Sequence, residues 1–121
     1  MKVAINTCFG GFGISNEAFE KLLDRKGIAF DKVEAEENRA FMGASYYEAG
    51  HAHDEEHYLS DYEFCSNRSD PDLIAVIEEM KDASNSWAAD IRIVEIPDDV
   101  KWHIHEYDGI EHVAEDHRTW S

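Results

Sequence analysis

Basic residues are the scarce class in this sequence: eleven Lys and Arg stand against twenty-seven Asp and Glu, for a net charge of −16. Such a surface is negative whatever the fold, which excludes a broad basic face for duplex nucleic acid. Long apolar runs are missing too. No stretch approaches the roughly 18 residues of a membrane helix, and Met1 to Asn6 is too short an apolar opening for a signal peptide, so a cytoplasmic protein without membrane attachment is expected. Two cysteines, Cys8 and Cys65, make no disulfide framework and read as free thiols. What remains is ordinary globular material. With 43% apolar residues over 121 positions the chain fills one core and not two, so a single domain over residues 1–121 is expected.

Residues 2–7 read as a short strand that runs into the glycine loop Cys8-Phe9-Gly10-Gly11-Phe12-Gly13. A helix follows: Ser15 is its N-cap, Glu17 lies in its positive first turn, Ile14 and Phe19 form a hydrophobic staple, and Gly27 ends it. Ala18, Phe19, Leu22 and Leu23 make its buried stripe. Residues 28–34, with Ile28, Phe30 and Val33, fit a strand returning beside the first. Residues 35–69 form an acidic, aromatic excursion. No Lys or Arg lies between Arg39 and Arg68, but Phe41, Tyr46, Tyr47, Tyr58, Tyr62 and Phe64 are too many aromatics for a disordered linker.

The second half is more regular. Asp70 as N-cap and Pro71 at the first helical position open a helix carrying Leu73, Ile74, Val76, Ile77 and Met80, which ends near 83–85. Ile91, Ile93, Val94 and Ile96 mark a buried strand stopped by Pro97-Asp98-Asp99. Val100, Trp102 and Ile104 then alternate with polar residues, and Asp108-Gly109 signals a type I′ hairpin to 110–115, giving a three-stranded meander. A two-residue turn pairs Tyr107 with Ile110, Glu106 with Glu111, His105 with His112 and Ile104 with Val113. His103, His105, His112 and Tyr107 then share one face, while Trp102, Ile104 and Val113 point to the core. The expected fold class is α+β: two helices on one face of a mainly antiparallel sheet, with a C-terminal β-hairpin.

Two blocks carry a resemblance. The first is Val3 to Ser15, with its CFGGFG; the second runs from Asp70-Pro71-Asp72-Leu73 through Ile93-Val94-Glu95-Ile96-Pro97-Asp98 and Glu106-Tyr107-Asp108-Gly109 to His117-Arg118-Thr119-Trp120. In these the chain resembles a family of small, largely uncharacterised proteins encoded by bacteriophages. The resemblance implies a viral accessory protein acting in the cytoplasm of an infected bacterial host and carries no catalytic residues with it. The stretch between the blocks varies in that family, so the histidine-rich segment at 51–57 is a departure from it.

Several residue groups could carry chemistry. The glycine loop before a helix N-terminus aims backbone N–H groups at an anion, although its spacing matches neither the P-loop nor G-x-G-x-x-G. The plain alternative is a tight connection. A small-molecule site built there would use Cys8, Phe9, Gly10, Gly11, Phe12, Gly13 and Ser15, with His105, His112, Arg118 and Trp120 as side-chain contributors. Opposed His105 and His112 could chelate a metal, but no carboxylate is obviously placed to complete the set, and histidines on a solvated strand face are the simpler reading. His51, His53, Asp54 and His57 resemble a metal cluster whose order matches no established hydrolase motif, and they read as a solvated acidic loop. Cys8 beside a helix N-terminus could act as a nucleophile, though a buried structural thiol is the plainer assignment. No cofactor and no metal are expected.

Three function classes survive. The first is an inhibitor, counter-defence or host-takeover protein whose acids engage a basic host protein, such as a nucleic-acid enzyme or a defence component, through Glu95, Asp98, Asp99, Glu106, Asp108, Glu111, Glu115 and Asp116. The second is sequestration of a nucleotide-like metabolite by the glycine loop with Arg118 and Trp120. The third is a small hydrolase or isomerase using the histidine face. Size, charge and the phage resemblance favour the first, with no enzymatic role required and with a homo-oligomer compatible.

Overall fold

Two capped helices organise the core of this computed structural model, which describes residues 1–9, 11–34, 44–86 and 89–115. Lys2–Asn6 forms β1 and Asn16–Arg25 forms α1; Ser15 caps α1 by accepting from the Ala18 N–H. Phe30–Val33 (β2) and Ser45–Glu48 (β3) follow, then a single turn at Asp61–Phe64 (α2). Pro71–Met80 is α3, with the Asp70 carboxylate accepting from the Asp72 N–H, and a 3₁₀ turn over Lys81–Ser84 closes it. Ile91–Glu95 (β4), Trp102–Tyr107 (β5) and Ile110–Glu115 (β6) complete the chain.

Leu22, Leu23, Ala18 and Phe19 of α1 meet Leu73, Ile74, Val76 and Ile77 of α3 in one cluster with Ala4 and Ile91. Both staple residues expected from the sequence, Ile14 and Phe19, are buried in it. Edge-to-face contacts extend the cluster to the excursion: Phe19 packs against Tyr46 and Phe64, and Tyr46 against Phe30. The buried Tyr46 hydroxyl donates to the Glu20 carboxylate at 2.9 Å, and burial raises its pKa. Across the helix pair, Lys21 meets Glu79 at 2.7 Å and Lys26 meets Asp70 at 2.7 Å. These pairs fix orientation more than they stabilise.

The α+β class and the C-terminal hairpin hold. The strands, however, form three separate two-stranded antiparallel ladders, β1–β4, β2–β3 and β5–β6, where the sequence suggested one sheet. Residues 30–33 pair with 45–48 and not with the first strand. The expected meander is also absent, because β4 takes β1 as its partner in the register Lys2↔Glu95 to Asn6↔Ile91. The physical reason is burial. Val3 to Asn6 is buried without alternation, as befits a strand covered on both faces, and the apolar Ile91–Glu95 suits it better than the half-exposed β5. Hairpin register matches the expectation pair for pair, from Tyr107↔Ile110 to Ile104↔Val113, with Asp108 and Gly109 both at positive φ. Among the described residues no helix is long and apolar enough to cross a membrane.

Because Leu22 is wholly inaccessible, Leu22→Ala should lower unfolding free energy by about 2–5 kcal/mol. Phe9→Ala, at a ring 66% exposed, should change it by less than about 0.5 kcal/mol. Urea denaturation of both variants checks the position of the core.

Candidate functional site

The end of β1 is where two of the ladders, β1–β4 and β5–β6, meet. Asn6, fully buried, donates from its side-chain amide to the carbonyls of Cys8 and Gly109, each at 2.6 Å, and accepts from the Asp90 N–H at 2.9 Å. Its backbone N–H donates to the Glu111 carboxylate at 2.9 Å. Glu111 in turn receives Arg68 in a two-pronged pair, at 2.6 Å and 3.0 Å. The guanidinium also donates to the carbonyls of Cys65 and Ala4, and it lies 3.7 Å over the Phe12 ring centroid. Arg68 and Glu111 are 17% and 8% exposed, so each is the other's main counter-charge.

Around this pair opens a cleft of about 550 Å³, lined by Gly11 to Ile14, by Asp61, Tyr62, Cys65, Ser66 and Arg68, and by Ile104, Glu106 and Glu111. Its charge decides what it can hold. Arg68 is matched by Glu111, which leaves the Asp61 and Glu106 carboxylates as the excess. Tyr62, 83% exposed, belongs to the same lining. A cleft of this kind suits a cation with a flat face, such as a guanidinium, and repels phosphate.

The glycine loop is tied down by its neighbours. The Ser86 N–H donates to the Gly13 carbonyl and the Ser15 N–H to the Ser84 carbonyl, while the Ser15 hydroxyl donates to the Ala83 carbonyl. A Cβ on Gly13 would stand 2.7 Å from the Ser86 hydroxyl, so this glycine leaves room for the Ser86 side chain. Gly11 sits at φ +93.

No protein family, curated protein or solved structure matches this chain. The assignment therefore rests on geometry.

Of the residues singled out in the sequence for a small-molecule site, Gly11, Phe12 and Gly13 line the cleft. Cys8 is exposed, against the expectation of a buried thiol, because it follows the end of β1 outside the core; Phe9 is exposed too, and Ser15 serves as a cap. His105 and His112 pair across the hairpin with ring centroids 4.7 Å apart, on the face opposite Ile104, Glu106 and Glu111, so the hairpin separates them from the cleft. Gly10, Asp116, Arg118 and Trp120 lie outside the described residues.

Among the acids expected to meet a partner, Glu95, Asp99, Glu106, Asp108 and Glu115 are exposed, and Asp98 pairs with the amine of Met1. Glu111 is the correction. It is buried, because it shares the inward face of the hairpin with Ile104 and Val113 and finds a cation there. Arg68, Asn6, Asp61 and Tyr62 were missed; the inward position of Glu111 was the available signal.

Cys65 is buried, and burial pushes its thiol up to about 12, so it is no nucleophile. Since the unfolded thiol ionises near 9.0, stability should fall as pH rises from there towards 12. Ellman's reagent should titrate Cys8 alone in the native protein and both thiols in denaturant.

Glu111→Ala should destabilise by about 2–4 kcal/mol, since it strands a half-buried guanidinium and the buried Asn6 N–H. A double-mutant cycle with Arg68→Ala, read by denaturation, should show a coupling of more than about 1 kcal/mol.

Proposed function

We propose that this is an acidic binding protein that docks on a basic protein and takes an arginine side chain of that partner into the cleft. The observation that carries the reading is the charge of the lining, where Asp61 and Glu106 remain after Arg68 and Glu111 have neutralised one another. The guanidinium lies along the exposed Tyr62 ring and meets those two carboxylates. Net charge of −16 adds long-range attraction that speeds encounter with a basic surface.

In the setting that the phage resemblance implies, the partner is a host protein whose basic groove ordinarily accepts phosphates, and the function is inhibition or counter-defence. Nucleotide sequestration has less support, because Arg68, the cation of the lining among the described residues, is already paired.

Titration calorimetry with a peptide of alternating Arg and Gly, beside a panel of linear and cyclic nucleotides, tests the reading. The peptide should bind with an affinity that falls steeply with salt. Tyr62→Ala, and separately Asp61→Asn with Glu106→Gln, should weaken it by roughly 5- to 10-fold while leaving the melting transition in place. Heat from a nucleotide and none from the peptide, or peptide binding indifferent to salt, sinks the proposal.

A further inference from the structure

The excursion holds a second side-chain cluster that shares no residue with the cleft. Glu48 ends β3, and the His51 N–H returns to the Glu48 carbonyl at 3.3 Å through a turn in which Gly50 takes φ +80. On the other side the Glu48 N–H donates to the His57 carbonyl at 2.8 Å, next to the Tyr47↔Tyr58 bridge. The Asp54 carboxylate accepts from the His57 N–H at 3.2 Å. Backbone bonds therefore bring one carboxylate and two imidazoles together. His57 Nδ1 is 3.9 Å and His51 Nε2 4.0 Å from the same Glu48 oxygen, and the two rings stack at 4.4 Å.

We propose that Glu48, His51 and His57 bind one divalent first-row transition ion, zinc first among them. One donor atom from each residue lies within 4.8 Å of the others. A tetrahedral zinc with ligands at about 2.0–2.2 Å sets its donors about 3.3–3.6 Å apart. The donors reach that spacing when the His51 and His57 rings, stacked here at 4.4 Å, turn about their side-chain bonds so that both ring nitrogens point at one ion beside the Glu48 carboxylate. Two histidines and one glutamate make a neutral-plus-anionic set suited to zinc, and three protein ligands leave a fourth position for water. Glu48 and His51 also wall a cavity of about 430 Å³ whose other lining, Ile28, Ala29, Ala49, Leu59 and Phe64, is apolar. A zinc ion held there would supply Lewis-acid chemistry, polarising a water in its fourth position beside this largely apolar cavity.

The linear pattern of histidines misleads about membership. His53 leaves the group to stack on Tyr47 and to meet the Asp31 carboxylate at 3.2 Å. Asp54 is occupied by the backbone of His57, and the third ligand is Glu48, outside the histidine run.

The test is equilibrium dialysis of the chelator-stripped full chain against zinc chloride at about pH 7.5. Cobalt(II) absorption is read in parallel. We expect one zinc per chain and a low-symmetry cobalt spectrum. Glu48→Gln and His51→Ala should each weaken zinc by roughly tenfold or more, with far-ultraviolet circular dichroism unchanged. His51 is 52% exposed in its side chain, so its replacement reads metal affinity even if His57→Ala unfolds the excursion. His53→Ala and the His105→Ala/His112→Ala double variant should bind as the parent does. No bound zinc at about 100 µM free metal, undiminished binding by His51→Ala, or loss confined to the hairpin double variant overturns the site.

Discussion

A buried carboxylate, Glu111, holds this molecule together. Three two-stranded ladders have no hydrogen-bonded sheet in common, and a two-stranded ribbon is marginal on its own. Glu111 joins two of them, β5–β6 and β1–β4, by reaching from β6 to the Asn6 N–H on β1 and to Arg68, whose own backbone carbonyl receives the Ala4 N–H. A buried pair of this kind gains little over an apolar contact of equal size, yet losing either partner is severe. Its value here is positional. It sets the hairpin against β1 and leaves the cleft between the hairpin, the glycine loop and α2.

Charge then follows from geometry. An arginine beside a glycine loop and a helix start would suggest an anion site, had the guanidinium been free. Its two-pronged bond to Glu111 and its seat over Phe12 remove it from the balance, and the acids at the rim dominate. The loop that could have bound phosphate is instead tied to residues 84–86, its Gly13 carbonyl accepting from the Ser86 N–H and the Ser15 N–H donating to the Ser84 carbonyl. A surplus of acid across the whole chain and a surplus within the cleft point in one direction.

Local signals in the sequence were legible in detail. Ser15, Asp70 and Pro71 marked helix starts through capping chemistry that involves only a few neighbouring residues, and Asp108-Gly109 determined the register of the six residue pairs in the hairpin. Strand partnership was not legible, because β1 and β4 meet across most of the chain and no turn chemistry selects that pairing. The site divides in the same way. That Glu111 faces inward follows from the hairpin register, but Arg68 is 43 positions away and only the tertiary fold introduces them. The Glu48, His51 and His57 group was hidden for a related reason: its carboxylate arrives from a strand, while the eye follows the spacing of histidines.

The pairing of β1 with β4 has a consequence for synthesis of the chain. Val3, Ala4 and Ile5 are made early, whereas their partners at Ile93, Val94 and Arg92 emerge only after α1, the excursion and α3. Until β4 is made an apolar strand therefore waits without its partner, the condition in which nascent chains associate with one another. The acids between the two strands greatly outnumber the cations, so neighbouring nascent chains carry like charge while that strand is exposed. An excess of carboxylates that serves recognition in the finished protein thus also guards the interval before its first strand is covered.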